Sequence, residues 1–183
     1  MIGPWGRPRG IRVAPKNLDE VRAIARRARA ALGIAGHPID MVDLLENRLR
    51  GIAIHFHVVE RSVIPREAAR AIPEKGLILI TEEAYNGIHD GDPKHKLLVP
   101  HEFAHFALRH AITFARATLL EPHSVFEDSE VQADQFSHEF VMPSAIVQRH
   151  CQSIIAIQQV FNVSLKDAQI RHAVLRAEGL IHW

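Results

Sequence analysis

Apolar side chains recur at helical spacing from Asn17 to Leu32. Leu18, Val21, Ile24, Ala25, Ala28 and Leu32 share one face there, with Arg22, Arg26, Arg27 and Arg29 around it. This spacing predicts an amphipathic helix. Beyond His37-Pro38, Asp40 is placed to cap a second helix carrying Met41, Leu44, Leu45 and Leu49, with Gly51 as its stop. The period then falls to two. Ile52, Ile54, Phe56 and Val58 alternate with Ala53, His55, His57 and Val59, which predicts a strand over 52–59, and a shorter apolar run predicts another over 76–81. Turn-forming residues fill 86–93, after which helical spacing resumes near Leu97 and runs through Leu108. A further helix is expected to start at Asp128 or Ser129 and to stop before Pro143. Short helices follow, the last capped by Ser164 with Asp167 and ended by Gly179. The pattern is that of an α+β chain, mostly helical, with a small β-sheet and short C-terminal helices. No repeat or linker divides it. The expected organisation is a flexible N-terminal arm over 1–16 and one domain over 17–183, with 144–183 as its helical C-terminal part.

Composition narrows the functional classes. A chain of 183 residues, 47% apolar, can bury a core without a staple, and no run approaches the roughly 18 apolar residues of a membrane span. The first fifteen residues carry Pro, Gly and Arg but no signal-like apolar stretch, and the lone Cys151 cannot close an internal disulfide, so a cytoplasmic protein is expected. The single cysteine also restricts any metal site to histidine and carboxylate. A formal charge of +1 makes no global electrostatic case for nucleic acid or for an acidic membrane. The 13 histidines change the picture, because neutral imidazole is the usual nitrogen ligand of zinc.

His101-Glu102-Phe103-Ala104-His105 reads H-E-x-x-H. Two histidines four apart lie one turn above each other on one helix face and can reach one ion. Glu102 lies about 100° round the helix, where its carboxylate can approach the reacting water as a base without taking a coordination position. A catalytic zinc needs a third protein ligand and an open position. Glu130 on the next predicted helix supplies it, and Asp134, one turn on, can orient a ligand histidine through its other ring nitrogen. Glu127 shares that face but lacks such a partner at the right offset.

These residues resemble the ImmA/IrrE metallo-endopeptidase family. The likeness rests on Leu97-Leu98-Val99-Pro100 running into the H-E-x-x-H motif, and on the run from Glu130 through Ala133, Asp134 and Phe136 that closes at Met142-Pro143. Weaker similarity reaches Pro38-Ile39-Asp40 and Phe161-Asn162-Val163-Ser164. The resemblance implies a gluzincin-like (zincin-like) peptidase fold, Zn2+ on His101, His105 and Glu130, and cleavage of a helix-turn-helix transcriptional repressor. Three positions depart from the pattern: Ala104 and Ser137, both still small, and Pro100. A proline there means that the helix either begins close to Val99 or bends before the ligands.

The expected function is therefore a zinc endopeptidase in which Glu102 takes a proton from water and passes it to the leaving amine. Tyr85, His138, His123 and other histidines all remain candidates for stabilising the oxyanion. Phe136, Phe140, Met142 and Cys151 are expected in the core. Residues 157–174 have the outline of a helix-turn-helix bearing Lys166, Arg171 and Arg176, but without a basic surplus they are expected to pack on the core, which makes direct nucleic-acid binding a secondary possibility. The competing reading is a regulator-binding or DNA-binding module with a structural or vestigial metal site.

Overall fold

Asn17 opens the first helix with a complete capping box: its side chain accepts from the Glu20 amide at 3.0 Å, and the Glu20 carboxylate accepts from the Asn17 amide at 2.7 Å. In this computed structural model, described for Trp5 and residues 8–110 and 122–183, that helix is α1, Leu18–Ala31. It is followed by α2, Met41–Asp43, which Asp40 caps through two amides and which runs on as a π-turn, Leu44–Arg48. The sheet comprises β1, His55–Val59, β2, Ala69–Ile72, and β3, Leu77–Thr81. Then come α3, Glu82–His89, and α4, Leu98–Ala107, which holds the H-E-x-x-H motif. After residues 111–121, outside the described set, the chain continues as α5, Ser129–Val141, α6, Ser144–His150, α7, Ile154–Phe161, and α8, Leu165–Ala177.

The order of the sheet is β1-β3-β2, with β1 parallel and β2 antiparallel to β3. Against one side of it lies α4, and α5 packs between α4 and α1. Phe103 of α4 meets Phe136 and Phe140 of α5 edge-on, at ring separations of 5.7 and 5.8 Å, and these two stack on each other at 5.6 Å. Met142 and Cys151 are buried with them, as expected. This aromatic trio clamps the two helices that carry the candidate ligands.

Several expectations change. The strand expected from Ile52 begins at His55, because Arg50–Ile52 form a 3-10 turn and Ala53, at φ 62°, reverses the chain where Gly51 was to do so. Two elements, β2 and α3, were not legible: four residues are too few to show a period. Asn86 and Gly87, which read as a turn, lie inside a helix capped by Thr81. Gly87 belongs there because a Cβ would meet the His95 ring at 2.4 Å. Pro100 sits in the first turn of α4, where amides lack helical partners anyway, and the first internal bond is His101 N–H to Leu97 O at 2.9 Å. Of the two alternatives, the helix begins early and does not bend before the ligands.

Two arginines expected around α1 as a polar rim are buried. Arg22 and Arg29 are only 5% and 7% exposed. Arg29 donates to the Phe140 carbonyl at 2.6 Å, and Arg22 pairs with Glu178 and approaches Glu139. Glu139 and Arg171 of α8, both fully buried, form a direct ion pair. That pair joins the C-terminal helices to the core.

The arm expected to be flexible is, in its described part, seated on the start of α5. Ile11 N–H donates to Ser129 Oγ at 3.1 Å, Val13 N–H to the Glu127 carbonyl at 2.7 Å, and Lys16 N–H to the Phe126 carbonyl at 3.0 Å. The reason is Asp128, whose side chain caps α5 through the Val131 amide and also accepts from the amides of Arg9 and Gly10. At Gly10 a Cβ would lie 2.8 Å from the Glu130 backbone nitrogen, so only glycine permits this approach. Residues 1–4 and 6–7 lie outside the described residues.

Candidate metal centre

On α4 the i, i+4 spacing sets His101 and His105 side by side, ring centroids 5.4 Å apart. Across from them α5 presents Glu130 and Asp134, also one turn apart. His101 Nε2 lies 3.1 Å from Glu130 Oε2, and His105 Nε2 lies 3.7 Å from Glu130 Oε1. One ligand atom from each of His101, His105 and Glu130 falls within 4.8 Å of the other two, close enough for a single ion. The outer nitrogen of His101, Nδ1, is 2.9 Å from Asp134 Oδ1. That bond places the ring proton on Nδ1 and leaves Nε2 for a ligand role. Glu127 is elsewhere, paired with Arg12 at 2.7 Å.

Glu102 stands outside this donor set and reaches the sheet. Its Oε2 accepts from the Ala71 amide on β2 at 2.6 Å, and the carboxylate borders the cleft. The cleft has a volume of about 910 Å³ and runs between β2 and the start of α5, lined also by Arg9, Lys94, His138 and Lys166. Because Ala71 turns its amide to Glu102, the outer edge of β2 forms one wall of the cleft.

The electrostatics favour a cation at the cluster. Burial alone would depress His101, but hydrogen bonds to Asp134 and Glu130 carry it up to about 10. Burial pushes His105 down to about 3, with help from the charge on His101, so without a metal the cluster carries its positive charge as a proton on His101, which a metal at Nε2 would displace. Although burial works against it, Asp134 is held at about 2 by its bond to His101 and by Arg9. Glu102 is raised by burial, against the pull of His101 and the Ala71 amide, which moves a carboxylate toward the range of a useful base.

Of the three oxyanion candidates named from the sequence, His138 alone lines the cleft; it is 3% exposed, far from the surface histidine it could have been, and its Nδ1 has no hydrogen-bond partner among the described residues. The Tyr85 hydroxyl donates to Glu46 at 2.9 Å, and His123 lies 3.0 Å from Asp128. Sequence reasoning missed Arg9, which pairs with Asp134, and His110, whose Nδ1 lies 3.1 Å from His105 Nδ1. Neither belongs to a motif. His110 is carried back to the site by Arg109 at φ 57°, a conformation that spacing does not reveal.

No known family model matches the chain, and no curated protein matches it in sequence. In structure the chain is similar to a Mycobacterium tuberculosis transcriptional regulator, with a TM-score of 0.55 at 15% identity over 86% of this chain. This chain spans about half (51%) of that protein's length. The likeness concerns the fold.

Proposed function

We propose that the chain is a zinc-dependent endopeptidase acting on a protein substrate. The observation that carries this reading is the convergence of His101, His105 and Glu130 on one point while Glu102, the neighbour of a ligand, stays outside the donor set at the cleft wall. Two imidazole nitrogens and one carboxylate fit zinc at a site that keeps a position open. A zinc ion held there would supply Lewis acidity toward a scissile carbonyl and toward water. Glu102 takes the proton of the attacking water and delivers it to the leaving amine. Asp134 holds the His101 ring, and the outer edge of β2, beyond the Ala71 amide taken by Glu102, offers backbone groups to an extended peptide.

The resemblance to ImmA/IrrE peptidases suggests a helix-turn-helix repressor as the substrate. The alternative of a DNA-binding module gains little from the C-terminal helices. Arg171 is fully buried against Glu139, and Lys166 lines the cleft. Among the described residues, no helix is long and apolar enough to cross a membrane.

The reading is tested by mixing the purified chain, zinc and a helix-turn-helix repressor encoded beside it, then following cleavage by mass spectrometry. Cleavage that a chelator stops and zinc restores supports it. Intact repressor under zinc loading would remove that substrate.

Metal content provides a separate check. About one zinc per chain is expected by elemental analysis, lost in His101→Ala and His105→Ala. Glu130→Gln should weaken binding strongly and Asp134→Ala by about ten- to a hundredfold, whereas Glu127→Gln should change little. Full metal content in either histidine variant would refute the ligand set.

A further inference from the structure

We infer that His110 and Gln132 are positioning residues that fix the ring of His105 in the tautomer that leaves Nε2, the nitrogen facing Glu130, unprotonated for a metal. The inference rests on the zinc reading above and concerns residues outside its motifs.

Gln132 is the starting point, because its amide is oriented by the backbone. Its Nε2 donates to two carbonyls, Ala14 O at 2.9 Å and Phe126 O at 2.7 Å, which identifies the nitrogen end and turns Oε1 toward His110. His110 Nε2 lies 3.0 Å from that oxygen. An amide oxygen only accepts, so His110 carries a proton on Nε2. A neutral His110 then has its lone pair on Nδ1, which lies 3.1 Å from His105 Nδ1. His105 must donate across this contact, and its own lone pair is left on Nε2, the atom that faces Glu130. A doubly protonated His110 would instead donate to His105 Nδ1 and force a proton onto Nε2, abolishing the ligand. Both partners are buried: His110 is 2% exposed and Gln132 fully covered, so water is poorly placed to take over either role. Ligand histidines commonly donate their outer N–H to a carboxylate or carbonyl. Here a second imidazole accepts, and its tautomer is set by an amide pinned to the seated arm.

Zinc affinity measured by chelator competition on the full chain tests the relay. His110→Phe keeps a ring but removes the acceptor, and is expected to weaken zinc by about ten- to a hundredfold. His110→Asn, whose side-chain oxygen can stand in for Nδ1, should restore most of the affinity. Long-range proton–nitrogen NMR of the zinc-loaded wild type should find the His110 proton on Nε2, a readout that needs no variant and that packing alone would not set. Wild-type affinity in His110→Phe, or a proton on His110 Nδ1 beside an intact one-zinc site, would overturn the relay and leave the zinc site standing. A wild-type chain that takes up no zinc would overturn both.

Discussion

Glu102→Gln is expected to keep the fold and one zinc per chain while losing about a hundredfold or more in turnover. The Gln side chain retains an oxygen that can accept from the Ala71 amide, so the contact between α4 and β2 survives the change. What disappears is a carboxylate that burial has moved upward toward the range of a base. Because Glu102 makes no contribution to the cluster of His101, His105 and Glu130, metal content serves as the internal control. Initial cleavage rates on a labelled protein substrate, read beside elemental analysis, separate the two effects. Near-normal cleavage by the zinc-loaded variant would take Glu102 out of the mechanism.

The second large effect is expected outside the donor set. Glu139 is fully buried and is the counter-charge for Arg171, also fully buried, with Arg22 and Arg26 at 3.6 and 3.4 Å. It further accepts from the Ser144 hydroxyl at 3.1 Å. Glu139→Gln leaves the Arg171 guanidinium in the interior without its counter-charge. Breaking one side of such a pair costs about 3–5 kcal/mol, which lowers the melting temperature of a domain this size by roughly 6–20 °C. Removing both charges as Glu139→Leu with Arg171→Met should recover much of that loss, since a buried pair is weak evidence of net stabilisation. Thermal unfolding of Glu139→Leu, Arg171→Met and the double variant closes the cycle. Additive losses would show that the pair is not coupled.

The candidate centre was legible because its chemistry is periodic. His101 with His105, and Glu130 with Asp134, are each one helical turn apart, and the structure brings all four together. The helices that carry them were found to within a residue or so, Leu98–Ala107 and Ser129–Val141, since apolar spacing marks the first and the Asp128 cap marks the start of the second. What sequence could not show depends on distant backbone. Ala71 meets Glu102 from a strand of four residues, and Gln132 is oriented by carbonyls of Ala14 and Phe126. The arginines of α1 misled for a related reason. A charged residue beside an apolar stripe reads as solvated unless its partner, here Glu139 or a main-chain carbonyl, can be foreseen.

The arm at residues 9–14 has a consequence for how the protein is made. Its amides are satisfied by Asp128 and Ser129, some 118 positions later, and its Ala14 carbonyl holds Gln132. On the ribosome that segment emerges early, and its partners follow only after the sheet and α4 have been synthesised. The two H-E-x-x-H histidines are thus available well before Glu130 and the groups that orient it. On the proposed zinc reading, tight metal capture would belong to the last stage of folding, when the early segment and α5 meet, and a nascent chain stalled before Asp128 would hold zinc only loosely.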